Sequence, residues 1–275
     1  MALRLTGGVR QSAGFTLVEL SVVVAIVALL LGGLLLTLSA SQEVRAYEET
    51  NRRLERAREA LLGFAIQNGR LPCPATATSN GREAFDTAAG GNASNGLCAV
   101  WDGYLPAMDL GISPVDDAGF LIDAWGVGSD QKNRVRYAVS DANSQAFTKT
   151  NGLKARMLAD PLAGATIETA KLVLICDSAA NVTGAPPHQD CSSVKFQAAA
   201  AVYSWGKNAR DAFDLGSACG STLPNADERE NCDGDFMLVS RPASSTPTVS
   251  DLYDDVVVWL PVSILFNRLI SAGAI

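Results

Sequence analysis

The chain has 275 residues, 48% of them apolar, with 22 Lys and Arg against 29 Asp and Glu for a formal net charge of −7. That acidity argues against nucleic-acid binding through a general basic face, and the apolar content suffices for one sizeable soluble core. No Walker loop, Gly-x-Ser-x-Gly elbow, His-Glu-x-x-His or dinucleotide fingerprint occurs, and a His-based triad would depend wholly on the single histidine, His188.

In chain order, Met1–Gly14 holds Arg4 and Arg10 and no acid. From Leu20 to Leu38 there is no charged residue and no proline. About 20 helical residues at roughly 1.5 Å each cross the hydrocarbon layer, so this run is a transmembrane candidate. Glu19 stands at its head, where a carboxylate in lipid is costly unless paired. No Lys or Arg lies between Arg10 and Arg45. The partner must come from elsewhere, and a free amino terminus is the natural one. A secretory signal peptide would have a shorter apolar region, and Glu19 would interrupt it. Arg4 and Arg10 before the run, with Glu43 after it, place the amino terminus in the cytoplasm and the bulk of the chain outside.

The stretch Gly14-Phe15-Thr16-Leu17-Val18-Glu19-Leu20 resembles the cleavage and methylation motif of type IV pilins and of the pseudopilins of type II secretion systems. The resemblance implies that prepilin peptidase cuts after Gly14 and N-methylates Phe15. It implies that Glu19 pairs with the amino terminus of a neighbouring subunit during assembly. The implied partners are other pilin or pseudopilin subunits, prepilin peptidase, an inner-membrane assembly platform and membrane lipid. The likeness covers the first 60 or so residues firmly and the remainder loosely. Many type IV pilins carry a proline within the apolar run; this chain has none before Pro72, and Gly32-Gly33 is its weak point.

From Ser41 to Gln67 the pattern turns amphipathic, with Val44, Tyr47, Leu54, Leu61 and Phe64/Ala65 at helical spacing. Glu48–Arg52 and Glu49–Arg53 are favourable i,i+4 pairs, and Asn68-Gly69 is the expected stop. Leu71-Pro72-Cys73-Pro74 then opens a Gly/Asn-rich loop. Tyr104-Leu105-Pro106 and Asp123-Ala124-Trp125-Gly126 lead to a strand at Arg134–Ser140. This order is similar to a segment of major pseudopilins in which such turns precede an Arg-Tyr pair, here Arg136-Tyr137. Trp125 reads as a core plug under the loop.

Further strands are expected at Lys171–Cys176, Ala199–Trp205, Phe236–Ser240 and Val256–Leu260, with a helical stretch at Asn151–Leu158. A short helix at Ile264–Ile275 would turn Leu265, Phe266, Leu269 and Ile270 inward. The fold class is therefore α+β: a long N-terminal helix, half transmembrane and half amphipathic, packed on a small antiparallel sheet in the pilin manner, with disulfide-closed loops. The expected division is a leader at 1–14, a transmembrane and filament-core helix at 15–38, an amphipathic stalk helix at 39–69 and a periplasmic globular domain at 70–275.

Six cysteines lie beyond the apolar run: Cys73, Cys98, Cys176, Cys191, Cys219 and Cys232. An even number in an oxidising compartment reads as a disulfide framework. The sequential pairing is favoured, because each pair would close a Gly-, Asn- or Asp-rich loop. Zinc is disfavoured by the lack of Cys-x-x-Cys and the single histidine. The acidic run Asp227–Asp235 fails the EF-hand template but invites a calcium reading centred on Asp233 and Asp235. Major pseudopilins also bind calcium in a loop. Asp116-Asp117 is a weaker version of the same idea, and no other cofactor is expected.

The expected function is thus a structural subunit, a minor pilin or pseudopilin, without enzymatic turnover. It would sit in the bacterial inner membrane as a single-pass protein with a periplasmic domain and pass into a filament. Two alternatives are a membrane-anchored periplasmic hydrolase using His188, and a tip adhesin or DNA-binding module using Lys195, Lys207 and Arg210.

Overall fold

The computed structural model describes residues 16–126, 131–159, 168–180, 182–192, 194–208, 225–244 and 252–274. The chain divides into two compact units, residues 1–45 and Ala46–Ile275. Helix α1 (Leu17–Asn68) is continuous through Gly32-Gly33. Its start is a reciprocal cap. Glu19 donates its backbone N–H to Thr16 Oγ1 at 3.2 Å, and the Glu19 carboxylate accepts from the Thr16 backbone N–H at 2.9 Å. Such a Thr-x-x-Glu pair satisfies helix-end donors on both residues. At the other end Gly69 adopts φ 66° and its N–H bonds the Ala65 carbonyl at 2.8 Å, the expected glycine stop.

Within the globular unit, α1 buries Thr50, Leu54, Ala57, Leu61 and Ala65 completely. These positions recur every three or four residues and so form one stripe. Val44, expected on that stripe, is exposed, and Tyr47 is half-buried. The expected charge pairs form, Arg52 with Glu48 at 3.5 Å and Arg53 with Glu49 at 3.0 Å, but only the first is well exposed; Arg53 is turned inward.

The stripe faces a six-stranded sheet built from β1 (Asp102–Tyr104), β2 (Arg136–Val139), β3 (Val173–Cys176), β6 (Val194–Ser204), β7 (Met237–Val239) and β8 (Val256–Pro261). A separate hairpin joins β4 (Thr183–Ala185) to β5 (His188–Asp190). The long β6 organises the sheet, pairing with β2 through Ala200–Tyr203, with β3 through Val194–Ala198 and with β8 through Ala198–Ser204. Side chains alternate between faces at period two. Tyr137, Val139, Ala200, Val202, Val258 and Leu260 join Leu54 and Leu61 in the main core. Ala138, Ala201, Tyr203 and Val257 belong to a second cluster with Phe236 and Leu238.

Among the described residues the other helices are short: α2 (Ala107–Leu110), α3 (Ala142–Gln145), α4 (Gly152–Ala159), α5 (Ala226–Glu230) and α6 (Val262–Ser271). Helix α6 buries Leu265 and Leu269 in the main core, with Phe266 packed against it. Ile270, expected inward, is exposed. It falls one residue past the inward Leu269, about 100° further round the helix.

Three other expectations change. The sheet is mixed, because β3 and β7 run parallel while the other strand pairs among the described residues are antiparallel. Two short elements, β1 and the β4–β5 hairpin, were absent from the sequence reading. His188, which follows Pro186-Pro187 and on that ground is expected to be an exposed loop residue, lies on β5, where its ring stacks on Phe236 with centroids 4.8 Å apart.

Two of the predicted disulfides are present, Cys73–Cys98 and Cys176–Cys191. Cys232 is disulfide-bonded, and its predicted partner Cys219 lies outside the described residues. The loop tied by Cys73–Cys98 is organised by Arg70 as well. That buried guanidinium donates to both Glu83 oxygens, at 2.6 and 3.0 Å, and Glu83 Oε1 also accepts from the Cys73 N–H at 2.8 Å.

The Asp-Ala-Trp-Gly turn joins α1 to the sheet. Asp123 Oδ1 accepts from the N–H groups of Trp125 and Gly126, both at 2.9 Å, and Oδ2 accepts from Ser204 of β6 at 2.7 Å. From α1, Arg53 donates to the Ile122 and Asp123 carbonyls at 3.0 and 2.9 Å, and Thr50 Oγ1 accepts from the Ala124 N–H at 2.9 Å. Trp125 is half-buried against the main core, in keeping with its expected role as a plug.

Candidate functional site

Glu19 lies in the first turn of α1 and is exposed, its carboxylate engaged with Thr16. Around and beyond it the helix shows apolar side chains on every side. Leu17, Val18, Leu20, Leu29 and Leu30 are each at least 60% exposed. A helix that is apolar all round is stable only when something covers it. Among the described residues no helix is long and apolar enough to cross a membrane. The described side chains in the apolar part of α1 run from Leu17 to Leu30, short of the about 20 residues that a bilayer needs. Gly14 and Phe15 lie outside the described residues.

Residues 9–35 match the Prokaryotic N-terminal methylation motif, the prepilin-type signature of type IV pilins and pseudopilins. The chain carries a prepilin-type signature. No curated protein and no solved structure matches it. The prepilin signature accounts for the order glycine, aromatic residue, glutamate and apolar run at Gly14, Phe15, Glu19 and Leu20–Leu38.

Beyond the matched stretch the acidic run resolves into two sets of carboxylates. One comprises Glu230, at the end of α5, with Asp233 and Asp235; one oxygen from each lies within 4.8 Å of the others. Asp235 is only 4% exposed, and its Oδ2 has no hydrogen-bond partner. Burial pushes its carboxyl up to about 8, with the charge of Asp233 adding to the effect. Burial likewise raises Glu230 to about 7 and Asp233 to about 6. The second set is Glu228, Asp254 and Asp255.

Asp233 and Asp235 were legible as candidate ligands, but Glu230 was not grouped with them. The helical turn of α5 carries it back over the loop, which spacing alone does not reveal. Asp227, from the same acidic run, goes elsewhere: Oδ2 accepts from Arg241 Nε at 2.6 Å and Oδ1 from the Ala179 N–H at 2.7 Å. Asp116 is also committed. Its Oδ2 meets Arg134 Nε at 2.6 Å and its Oδ1 accepts from the Ala118 and Phe120 N–H groups. The weaker calcium idea at Asp116-Asp117 therefore gives way to a structural turn.

For a hydrolase, His188 would need a nucleophile. Its Nε2 stands 3.4 Å from Asp141 Oδ2, its Nδ1 is buried without a hydrogen bond, and no cysteine among the described residues is free. Among the described residues no hydroxyl bonds the ring. For the nucleic-acid alternative, Arg210 and the Lys195 side chain lie outside the described residues.

Proposed function

We propose that the chain is a structural subunit, a minor pilin or pseudopilin, of a type IV pilus or type II secretion filament. The prepilin signature at residues 9–35 carries this reading. Prepilin peptidase cleaves after Gly14 and methylates Phe15. Residues 15–38 are then held in the inner membrane, with the globular unit in the periplasm, until an assembly platform adds the subunit to a filament. The exposed apolar surface of Leu17–Leu30 supports this reading, because lipid and neighbouring subunits are two environments that would cover it in turn. The Cys73–Cys98 and Cys176–Cys191 disulfides fit an oxidising compartment. The exposure of Glu19 at the start of the helix supports a pairing of its carboxylate with the freed amino terminus of the next copy. The globular unit has a mixed sheet with both faces buried and two bridged loops, more elaboration than a stalk support needs, which favours a minor or tip component.

The test is intact-mass measurement on membrane fractions from cells with and without prepilin peptidase. The expected product lacks residues 1–14 and carries one added methyl group on Phe15 only when the peptidase is present. A chain that keeps its leader in both backgrounds overturns the reading.

A further inference from the structure

We propose that the overhanging start of β6, residues 194–197, is a docking edge for one extended strand of another polypeptide. Backbone hydrogen bonds would hold that strand, and one of its apolar side chains would rest on Phe196 and Trp259. The site stands on the globular unit alone and does not depend on the filament reading.

The edge exists because β8 stops short of it. Strand β6 begins at Val194, and its last partner on β8 is Ala198, opposite Pro261. Proline has no N–H with which to extend a ladder. The chain then leaves the sheet as α6 at Val262. Strands β3 and β8 flank β6 on opposite sides, since both pair with Ala198. Among the described residues β6 pairs with β2, β3 and β8 and with no other strand.

The register shows which backbone groups face the open side. Leu174 of β3 lies opposite Gln197 and donates its N–H to the Phe236 carbonyl at 2.8 Å, beside β7 and away from β6. In an antiparallel pair, residues that exchange hydrogen bonds alternate with residues that do not. Gln197 therefore turns its N–H away from β3, toward the open edge. The register also shifts after Ile175 and skips Lys195, whose backbone has no β3 partner.

The kind of partner follows from these groups. An unpaired strand edge takes extended backbone, with alternate side chains of the added strand falling on each face. On the face opposite α1, Phe196 is 46% exposed, and its ring centroid lies 4.9 Å from that of half-buried Trp259. Gln197, on the other face, is exposed as well. The fitting partner is thus an uncharged strand with apolar residues at every second position. Lipid offers no such ladder. A second copy pairing through the same edge would bring four residues a side, against roughly 20–30 in a stable interface.

The experiment is residue-resolved amide hydrogen exchange on the full chain in detergent. The probes are the hexapeptide acetyl-Thr-Val-Thr-Phe-Thr-Val-amide and the same peptide N-methylated at every amide. The first is expected to slow exchange at Gln197 by about tenfold, and the second to leave it unchanged. Phe196→Ser should weaken binding of the first peptide by about tenfold. Gln197→Pro removes the edge N–H where proline is tolerated; it should abolish binding and leave thermal unfolding unchanged. An unaltered chain whose exchange does not respond overturns the site. Equal binding of both peptides overturns it too, because apolar contact alone would then suffice, and so does a folded Gln197→Pro chain that still binds. If Gln197→Pro fails to fold, the two peptides on the unaltered chain decide. Protection at Gln197 without peptide also overturns it: in dilute chain it means that the chain covers its own edge, and if it grows with protein concentration it assigns the edge to a second copy.

Discussion

Arg70 and Glu83 form a bidentate ion pair, 2.6 and 3.0 Å long, with both side chains less than 10% exposed. The guanidinium also lies over the rings of Phe64 and Phe85, at 5.2 and 5.9 Å from their centroids. Phe64 belongs to α1 and Phe85 to the loop that Cys73–Cys98 closes, so one cation fastens helix to loop.

Removing Glu83 leaves that cation buried and unpaired. Glu83→Ala is expected to destabilise the globular unit by about 3–5 kcal/mol. The double variant Arg70→Met with Glu83→Leu should recover much of the loss, since an apolar pair of similar volume needs no counter-charge. Denaturant unfolding of the three chains measures this; a double variant as unstable as Glu83→Ala would show that the pair itself is needed.

Asp123 is fully enclosed, and burial pushes its carboxyl up to about 6 despite hydrogen bonds from Ser204, Asn133, Gly126 and Trp125. The folded value lies above the ordinary 3.8. The folded chain therefore holds this proton more tightly than the unfolded chain does. The stability it contributes is complete below about pH 4 and is lost as pH rises through about 6. Asp123→Asn lacks this titration while keeping an oxygen for the Trp125 and Gly126 N–H groups. Between pH 4 and pH 7 its unfolding free energy should gain on that of the unaltered chain by up to about 3 kcal/mol. Parallel pH profiles would refute the shift.

The two observed bridges close loops of 25 and 15 residues. In the chain-entropy view each contributes about 3 kcal/mol. Replacing Cys73 and Cys98 together with Ser should lower the unfolding free energy by that amount in denaturant titrations, and so should replacing Cys176 and Cys191. A pair whose removal costs nothing would mean that its loop is already ordered in the unfolded chain.

Glu19→Leu separates processing from assembly. Cleavage after Gly14 should proceed normally, because the proposed role of the carboxylate is to meet a neighbour's amine after the cut. Incorporation into sheared filaments should fall to background. Filaments containing this variant at the level of the unaltered chain would remove the pairing.

Much of the helical architecture was legible, because helix signals are local. The stripe at Leu54, Leu61 and Ala65, the stop at Gly69 and the i,i+4 pairs on Glu48 and Glu49 each depend on residues within a few positions. Strand positions at β2, β3, β7 and β8 were legible within a few residues for the same reason. Their partners were not. The parallel match of β3 to β7 joins Leu174 to Met237, and nothing near either residue encodes it. The β4–β5 hairpin was hidden by Pro186-Pro187, since proline usually argues against a strand.

The sequence by itself determined the amino-terminal signature and the long helix, both written in spacing along the chain; it favoured the Cys73–Cys98 and Cys176–Cys191 pairings, which the tertiary structure decided. Only the tertiary structure decided which acids stand together. Asp227 turns away to Arg241 while Glu230 joins Asp233 and Asp235, and His188 leaves solvent to stack on Phe236. Charge and burial at those places depend on elements far apart in sequence, and folding alone brings them within a few ångströms of one another.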